Sequence, residues 1–296
     1  MMKKRVIVGS RDSKLAVIQA RLVMEQIQRF HPELELELVT MKTTGDKILD
    51  KTLDKIGGKG LFVKELDRAL RAGQIDLSVH SLKDMPMEVP DDLPLLAFPT
   101  REIATDVLVL PKGAEGLSKG KPLGSSSPRR NVQLSRLYPD MEQKSVRGNV
   151  QTRLEKLDSG QYSGLILAYA GLKRLNLEER ISRVFTADEM IPAAGQGTMV
   201  VQGRAGEDYA YLDCVDDRKA RAEAEAERAF VAYLEGGCSA PIGAYAEMAE
   251  QEILIRGLYC APTKNEPYMG RISGPKEQGR ALAVRLAKQL KEEAGA

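Results

Sequence analysis

Arg5-Val6-Ile7-Val8-Gly9-Ser10-Arg11-Asp12-Ser13 begins as a short apolar strand and breaks at a glycine and a polar turn. It then runs straight into a helical pattern of Leu15, Val17, Ile18, Leu22 and Ile27. Strand, turn and helix in that order are the unit of an α/β fold, and the helix start offers backbone N–H groups to an anion. Asp12 or Ser13 can cap the helix. Ser13 therefore reads either as a plain N-cap or as an anion ligand, and Arg11 either as a solvated charge or as its companion. The unit recurs. Gly124-Ser125-Ser126-Ser127-Pro128-Arg129-Arg130 is again a turn feeding a helix, with Pro128 suited to the first helical position. Arg147-Gly148-Asn149 precedes a helix that carries Arg153, and a strand at 164–168 leads to Gly171-Leu172-Lys173-Arg174.

Outward from the first unit, residues 34–41 alternate as a second strand, and 62–72 form a helix. Between them, 42–60 carries Lys47, Lys51, Lys55 and Lys59 with Gly57, Gly58 and Gly60 near its end. It lacks the P-loop pattern. It reads as a surface loop or as a lid over an anionic ligand. A buried strand at 75–80 ends in Ser81-Leu82-Lys83-Asp84-Met85-Pro86. An acid and a base at a strand end sit where α/β folds place chemistry; the plainer reading is an ion pair in a turn. His80 reads as a hydrogen-bonded core residue. Strands at 95–99 and 106–110 flank a crossover at Thr100-Arg101-Glu102, and Met199-Val200-Val201 returns as a strand after Ile191-Pro192-Ala193-Ala194-Gly195-Gln196-Gly197.

After an acidic linker at 213–218, Ala222, Ala226, Ala229, Phe230, Tyr233 and Leu234 define one face of a helix. Gly236-Gly237 can close it in left-handed backbone, and Pro241 prevents its resumption. Cys238 lies between these breaks. It reads as a buried small hydrophobe, as a thiolate nucleophile, or as an anchor bonded to an electrophile it once attacked. The preceding negative helix end disfavours the thiolate. Strands at 242–246 and 253–259 and a helix at 279–291 complete the chain.

The 296 residues suffice for two or three domains. Net charge is +2, but residues 101–183 hold 15 Lys and Arg against 9 Asp and Glu, whereas 184–256 hold 6 against 14. A basic middle suggests a local anion site rather than a nucleic-acid footprint. Cys214, Cys238 and Cys260 form no C-x-x-C pair, and His31 and His80 are the only histidines. That argues against a disulfide framework and a metal site, and for a reducing compartment. No apolar run reaches membrane-spanning length, and Val6-Ile7-Val8 is too short for a signal-peptide core. A cytoplasmic monomer is expected. Arg129, Arg130, Arg147, Arg153 and Arg174, at helix-opening turns, suit a polycarboxylate or polyphosphate, because a guanidinium binds such groups at two points.

Taken together, Ser10-Arg11-Asp12-Ser13-Lys14-Leu15-Ala16, Gly58-Lys59-Gly60-Leu61-Phe62, Val79 to Pro86, Ser127-Pro128-Arg129-Arg130, Arg147-Gly148-Asn149-Val150, Ala168 to Arg174 and Leu234 to Gly243 resemble the porphobilinogen deaminase (hydroxymethylbilane synthase) family. The resemblance implies two type-II periplasmic-binding-protein-like α/β domains and a small α+β domain with an antiparallel sheet. Their expected bounds are 1–99 with 198–216, 103–194, and 219–296. It implies a dipyrromethane cofactor held by a thioether to Cys238, and head-to-tail addition of four porphobilinogens with loss of ammonia. Hydrolysis then frees the linear tetrapyrrole. By position it assigns cofactor binding to Ser13, Lys83, Asp84, Ser127, Arg129, Arg130, Arg147 and Gln196. Substrate carboxylates fall to Arg11, Arg147, Arg153 and Arg174, catalysis to Asp84, and the lid to Lys55, Lys59 and Phe62. No metal is implied. Departures from the family pattern are Pro128 for leucine, Val201-Gln202-Gly203-Arg204 for I-E-C-R, and Ser239-Ala240 after the cysteine; Gln202 removes a charge expected near a domain junction. Two other classes stand beside the enzyme. One is a non-catalytic two-lobed binder of a polycarboxylate, which would release no ammonia from porphobilinogen; the other is a nucleic-acid binder, which would bind DNA in a salt-dependent way.

Overall fold

The computed structural model describes residues 5–43, 63–236, 240–262, 264 and 266–295. By packing, the chain divides into two compact units: Met1–Glu102 with Thr198–Arg221, and Ile103–Gly197 with Ala222–Ala296.

In the first unit, β1 (Arg5–Arg11) is followed by α1 (Lys14–Phe30), β2 (Glu35–Met41), α2 (Lys64–Arg71), β3 (Leu77–Ser81) and β4 (Leu95–Ala97). The second unit starts with β5 (Asp106–Val109), β6 (Leu123–Gly124), α3 (Pro128–Leu137), β7 (Gln143–Lys144), α4 (Val150–Asp158), β8 (Gly164–Ala168), α5 (Tyr169–Arg174) and β9 (Arg183–Val184). The chain then returns to the first unit as β10 (Met199–Gly203).

One strand order serves both units. The first sheet runs β2-β1-β3-β10-β4 and the second β7-β6-β8-β5-β9. In each, three parallel strands meet an antiparallel fourth, β10 against β3 and β5 against β8. The repeat of strand, polar turn and helix therefore reflects a repeated topology. Both faces of each sheet are covered. Val6, Val8, Leu77, Val79 and Val201 pack with Ala20, Val23 and Ile27 of α1, while Ile75 and Leu93 pack with Leu66, Ala69 and Leu70 of α2. In β5, Val107 and Val109 share one core with Leu154 and Leu157 of α4, and Leu108 faces Leu134 of α3. Neighbouring residues of a strand point to opposite faces, which is why these strands read as continuous apolar runs.

The turns need their glycines. A Cβ on Gly9 would come within 2.3 Å of Ile75 Cδ1, and one on Gly124 within 2.3 Å of Leu165 Cδ2. A bare Cα at each position lets Ile75 and Leu165 keep these close contacts without shifting.

The second unit also holds α6 (Arg218–Tyr233, entering from the first unit at 221/222), β11 (Ile242–Met248), β12 (Glu252–Tyr259), β13 (Tyr268–Pro275) and α7 (Gly279–Glu293). β11-β12-β13 form an antiparallel sheet, and Phe230 of α6 and Leu286 of α7 pack on Gly257 at its centre. The sequence reading missed β13, whose residues alternate half-buried and exposed and carry glycines at 270 and 274.

Two expectations for α6 change. Its buried face is Ala220, Glu223, Ala224, Ala226, Glu227, Phe230, Val231 and Leu234, whereas Tyr233 is 37% exposed. Apolar spacing could not reveal that two carboxylates share the buried stripe. The helix closes through Glu235 rather than a glycine: Glu235 has φ 54°, its N–H donates to Ala232 O at 3.0 Å, and Gly236 N–H donates to Val231 O at 3.0 Å. These are the two bonds of a Schellman closure, with a β-carbon-bearing residue in the left-handed position. Glu235→Gly should therefore raise unfolding stability by roughly 0.5–1 kcal/mol, read as a higher denaturant midpoint at unchanged slope. A lower midpoint would show that the Glu235 side chain contributes more than its backbone conformation costs.

Candidate functional site

In the first unit, the turn after β1 sets Ser13 as the N-cap of α1, its Oγ accepting from Ala16 N at 3.4 Å. The capping reading of Ser13 thus holds. Arg11, the last residue of β1, is half-buried. β3 ends in a single 3₁₀ turn, Leu82–Asp84. Leu82 N donates to Thr198 O and Met85 N to Leu82 O, both at 3.0 Å, and the side chains of Leu82 and Met85 are buried. Lys83 and Asp84 between them are half-buried, and no hydrogen bond or ion pair to another described residue engages the Asp84 carboxylate.

The buried carboxylate at the other end of β3 is, by contrast, fully used. Asp76 accepts from Ile7 N at 2.9 Å and from Arg204 Nη2 at 3.0 Å. His80 lies inside the sheet, as expected. Its Nε2 is 2.8 Å from Ser78 Oγ, which donates to Gln202 Oε1 at 3.4 Å, while Gln202 Nε2 donates to Leu93 O at 2.9 Å. Gln202 is fully buried opposite Ser78 in β10, within the first sheet. Burial lowers the His80 pKa to about 4; the Arg11 charge adds to this, and a hydrogen bond with Gln202 opposes it.

In the second unit, Pro128 takes the first position of α3 behind Ser127, whose hydroxyl makes no cap bond. This brings Arg129 and Arg130 onto Asp106, the first residue of β5. Arg130 donates from Nε and Nη2 to Asp106 Oδ1 at 3.1 and 2.7 Å, and from Nη1 to Ile166 O at 2.9 Å. Arg129 Nη1 lies 2.8 Å from Asp106 Oδ2 and donates to Ile191 O at 2.6 Å. Gln196 Nε2 donates to the same Oδ1 at 2.8 Å and to Ala104 O at 2.6 Å. All four side chains are buried. Burial alone would raise the Asp106 pKa, but the two guanidiniums outweigh it and hold the carboxyl well below its usual range. Burial pulls the Arg129 pKa down.

The other arginines are half-buried. Arg153 Nε donates to Gly148 O at 2.8 Å, which fixes the 147–149 turn, and Asn149 Oδ1 caps α4 by accepting from Thr152 N at 2.9 Å. Gly148, at φ 113°, is the residue that lets Arg147 and Asn149 flank so tight a turn. Arg174 Nη2 donates to Gly197 O at 2.7 Å. Glu227 on α6 accepts from Gly195 N at 2.6 Å and from Ala246 N at 2.8 Å, so one carboxylate joins the 195–197 turn to β11.

Cys238, Lys55, Lys59 and Phe62 lie outside the described residues. The segments flanking Cys238 are described. A Cβ on Gly236 would lie 2.5 Å from Ile242 Cδ1, and one on Gly243 would lie 3.1 Å from Pro192 O and 3.2 Å from Arg129 Cδ. The strand that follows the cysteine thus lies on the stem of Arg129. Burial raises the thiol pKa of Cys214 and of Cys260, which suits neither to nucleophilic work. Among the described residues no cluster of His, Cys, Asp and Glu could hold a metal ion, and no helix is long and apolar enough to cross a membrane.

The sequence reading assigned Arg129, Arg130 and Gln196 but missed Asp106, which they share. One signal was available, a carboxylate opening the apolar run Val107-Leu108-Val109, where an unpaired charge would be unfavourable.

Two family models match the chain: "Porphobilinogen deaminase, dipyromethane cofactor binding domain" over residues 6–211, and "Porphobilinogen deaminase, C-terminal domain" over 221–292. A porphobilinogen deaminase of Ruminiclostridium cellulolyticum is 52% identical over 287 residues, covering 97% of this chain and 98% of its own. One from Acetivibrio thermocellus is 52% identical over 286 residues, with 97% and 98% covered. Among solved structures, the periplasmic aliphatic sulphonate binding protein SsuA from Escherichia coli matches with a TM-score of 0.42 at 13% identity, covering 79% of this chain and 71% of its own.

The buried imidazole gives a pH test. With a folded pKa near 4 and an unfolded value near 6.5, His80 binds its proton more readily in the unfolded chain. Stability from this group is complete above about pH 6.5 and is lost as pH falls towards 4, by about 3 kcal/mol in all. Denaturant midpoints of the wild type and His80→Gln should converge over that window. Parallel curves would mean that His80 is not held neutral.

Proposed function

The chain belongs to the porphobilinogen deaminase family, and from that premise we propose which side chains carry the reaction. The enzyme is a transferase of tetrapyrrole synthesis that joins four porphobilinogens head to tail on a dipyrromethane cofactor, releasing ammonia and then, by hydrolysis, hydroxymethylbilane. The donor chemistry of the second unit suits that cofactor. Each pyrrole ring bears an acetate and a propionate, and two buried guanidiniums share a single buried carboxylate, leaving one positive charge to be balanced. When bound, the dipyrromethane supplies the pyrrole carbon that the first porphobilinogen extends.

In this reading Cys238 anchors the cofactor as a thioether, which survives every round of addition. Ser13, Lys83, Asp84, Ser127, Arg129, Arg130, Arg147 and Gln196 hold it. Arg11, Arg147, Arg153 and Arg174 take the carboxylates of incoming porphobilinogen, and Lys55 and Lys59 belong to a lid over residues 42–60 together with Phe62, which follows it. Asp84 stabilises positive charge on the porphobilinogen pyrrole as ammonia departs, and moves protons at the pyrrole N–H. One observation carries that role: Asp84 is half-buried at a strand end with no described partner, while the buried Asp76 and Asp106 are both paired. A carboxylate left without a partner at a strand end is available to a ligand.

Three domains accompany this reading: 1–99 with 198–216, 103–194, and 219–296. The two separate sheets of the second unit support dividing it. A monomer working in the cytoplasm, without nucleic acid, fits the mixed surface charge and the unpaired cysteine set.

Intact protein from a host that makes porphobilinogen should weigh two pyrrole units more than its sequence, and should give the dipyrromethane colour with acid Ehrlich reagent. A bare sequence mass, together with no ammonia release from porphobilinogen, would support the polycarboxylate-binding alternative. Asp84→Asn should keep the wild-type melting temperature and the added mass but lower kcat at least about 100-fold. Near-normal turnover would remove Asp84 from its role.

A further inference from the structure

We propose that Asp106, which touches neither cofactor nor substrate in the reading above, is a positioning residue that aims Arg129 at the oligopyrrole. The proposal rests on that reading of Arg129. Asp106 is wholly buried at the start of β5, opposite Ala168 at the end of β8. Its two oxygens do different work. Oδ1 takes both Arg130 bonds and the Gln196 amide; Oδ2 faces only Arg129 Nη1.

The guanidinium donors divide in the same way. Arg130 spends Nε, Nη1 and Nη2 on Asp106 and Ile166 O. Arg129 places Nη1 on Asp106 and Ile191 O, and no hydrogen bond within the described residues occupies its Nε or Nη2. One carboxylate against two guanidiniums leaves a single positive charge, and the free donors belong to Arg129. Its position is set from three sides. Asp106 and Ile191 O hold the head, and the strand after Cys238 lies on the stem through Gly243. A planar fork fixed at one nitrogen presents its other edge in one direction, which is the geometry for two-point capture of a carboxylate.

An amide in place of the Asp106 carboxylate separates the two roles. Asp106→Asn can keep its oxygen towards Arg130 and Gln196, which turns its NH₂ against Arg129 Nη1, donor to donor. Arg129 alone is then released. Arg129→Ala removes the same contact from the other side. If Asp106 acts through Arg129, the two changes remove one thing.

The test compares wild type, Asp106→Asn, Arg129→Ala and the double variant as purified full-length proteins. Two quantities are read: the fraction of chains carrying the dipyrromethane mass, and kcat/KM for porphobilinogen on the loaded fraction. Each single change should lower loading and reduce kcat/KM by about tenfold or more. The double should match the worse single within about threefold, whereas independent losses would multiply to about a hundredfold. Multiplying losses would show a merely structural Asp106 and overturn the proposal. So would an Asp106→Asn protein that loads and turns over like wild type while Arg129→Ala does not, with the arginine reading left standing. A wild-type Arg129→Ala would instead sink that reading. Should Asp106→Asn not fold, the double, which loses one charge of each sign, is compared with Arg129→Ala alone. Equality supports the proposal, and a much weaker double overturns it.

Discussion

A carboxylate with no exposure to water is the constraint around which the second unit is arranged. Taking a carboxylate out of water costs several kcal/mol, and Asp106 offsets this because guanidinium nitrogens of Arg130 and Arg129 lie 2.7 and 2.8 Å from its two oxygens, the contact at Oδ2 being an ion pair without hydrogen-bond geometry. Those donors come from places far apart in sequence. Arg129 and Arg130 open α3, and Gln196 arrives from the far end of the domain. The carbonyl of Ile166 in β8 accepts from Arg130 Nη1 and that of Ile191 from Arg129 Nη1, and Gln133 binds both N–H and O of Ile191. From there the connections run outward: Ala244 N to Pro192 O, and Glu227 from Gly195 to Ala246. The strand that follows Cys238 is thus tied, through a few short bonds, to the residue that balances the arginines.

Much of the fold was legible because local chemistry and tertiary need coincide in it. Gly9, inside β1, and Gly124, at the end of β6, lie where a Cβ would press on a neighbouring side chain, and each comes shortly before a serine at a helix start. The helical pattern marked α1 and apolar runs marked β1 and β8, yet of Leu15, Val17, Ile18, Leu22 and Ile27 only Ile27 is in the core; α1 buries Ala16, Gln19, Ala20, Val23 and Ile27, and Leu22 is exposed. What escaped has a common cause. Asp106, Glu223 and Glu227 are charges whose partners lie tens of residues away, so no window of sequence contains both halves of the interaction. Glu235 occupies a left-handed position beside a glycine that pattern favours for the task, and β13 lies half in solvent, where alternation carries little hydrophobic contrast.

The same distinction separates the assigned binding residues. Ser13 could be placed from its turn alone, and it caps its helix. Arg129, Arg130 and Gln196 could be named from the sequence but not understood from it. Their exposed-looking, polar stretches conceal three side chains turned inward. Gln202 is the converse. As a departure from the family pattern it suggested a charge lost near a domain junction, and it lies buried in a polar network with Ser78, His80 and the Leu93 carbonyl. There a neutral amide satisfies donors and acceptors without bringing a charge beside an imidazole that burial keeps neutral.

The strand order of the first sheet bears on how the chain is made. β10 lies between β3 and β4, yet about a hundred residues of the second unit separate it from them in the chain. During synthesis from the N-terminus, β4 therefore has no strand to join until Gly203 has left the ribosome. The nascent first unit waits with an unfilled slot at β3, and the β-strands of the second unit emerge before the slot can close. β5, which precedes β6 and β8, lets that second sheet assemble from strands already released. The middle of the polypeptide can thus mature ahead of its beginning, and Met199–Gly203 acts as the keystone that completes the earlier part.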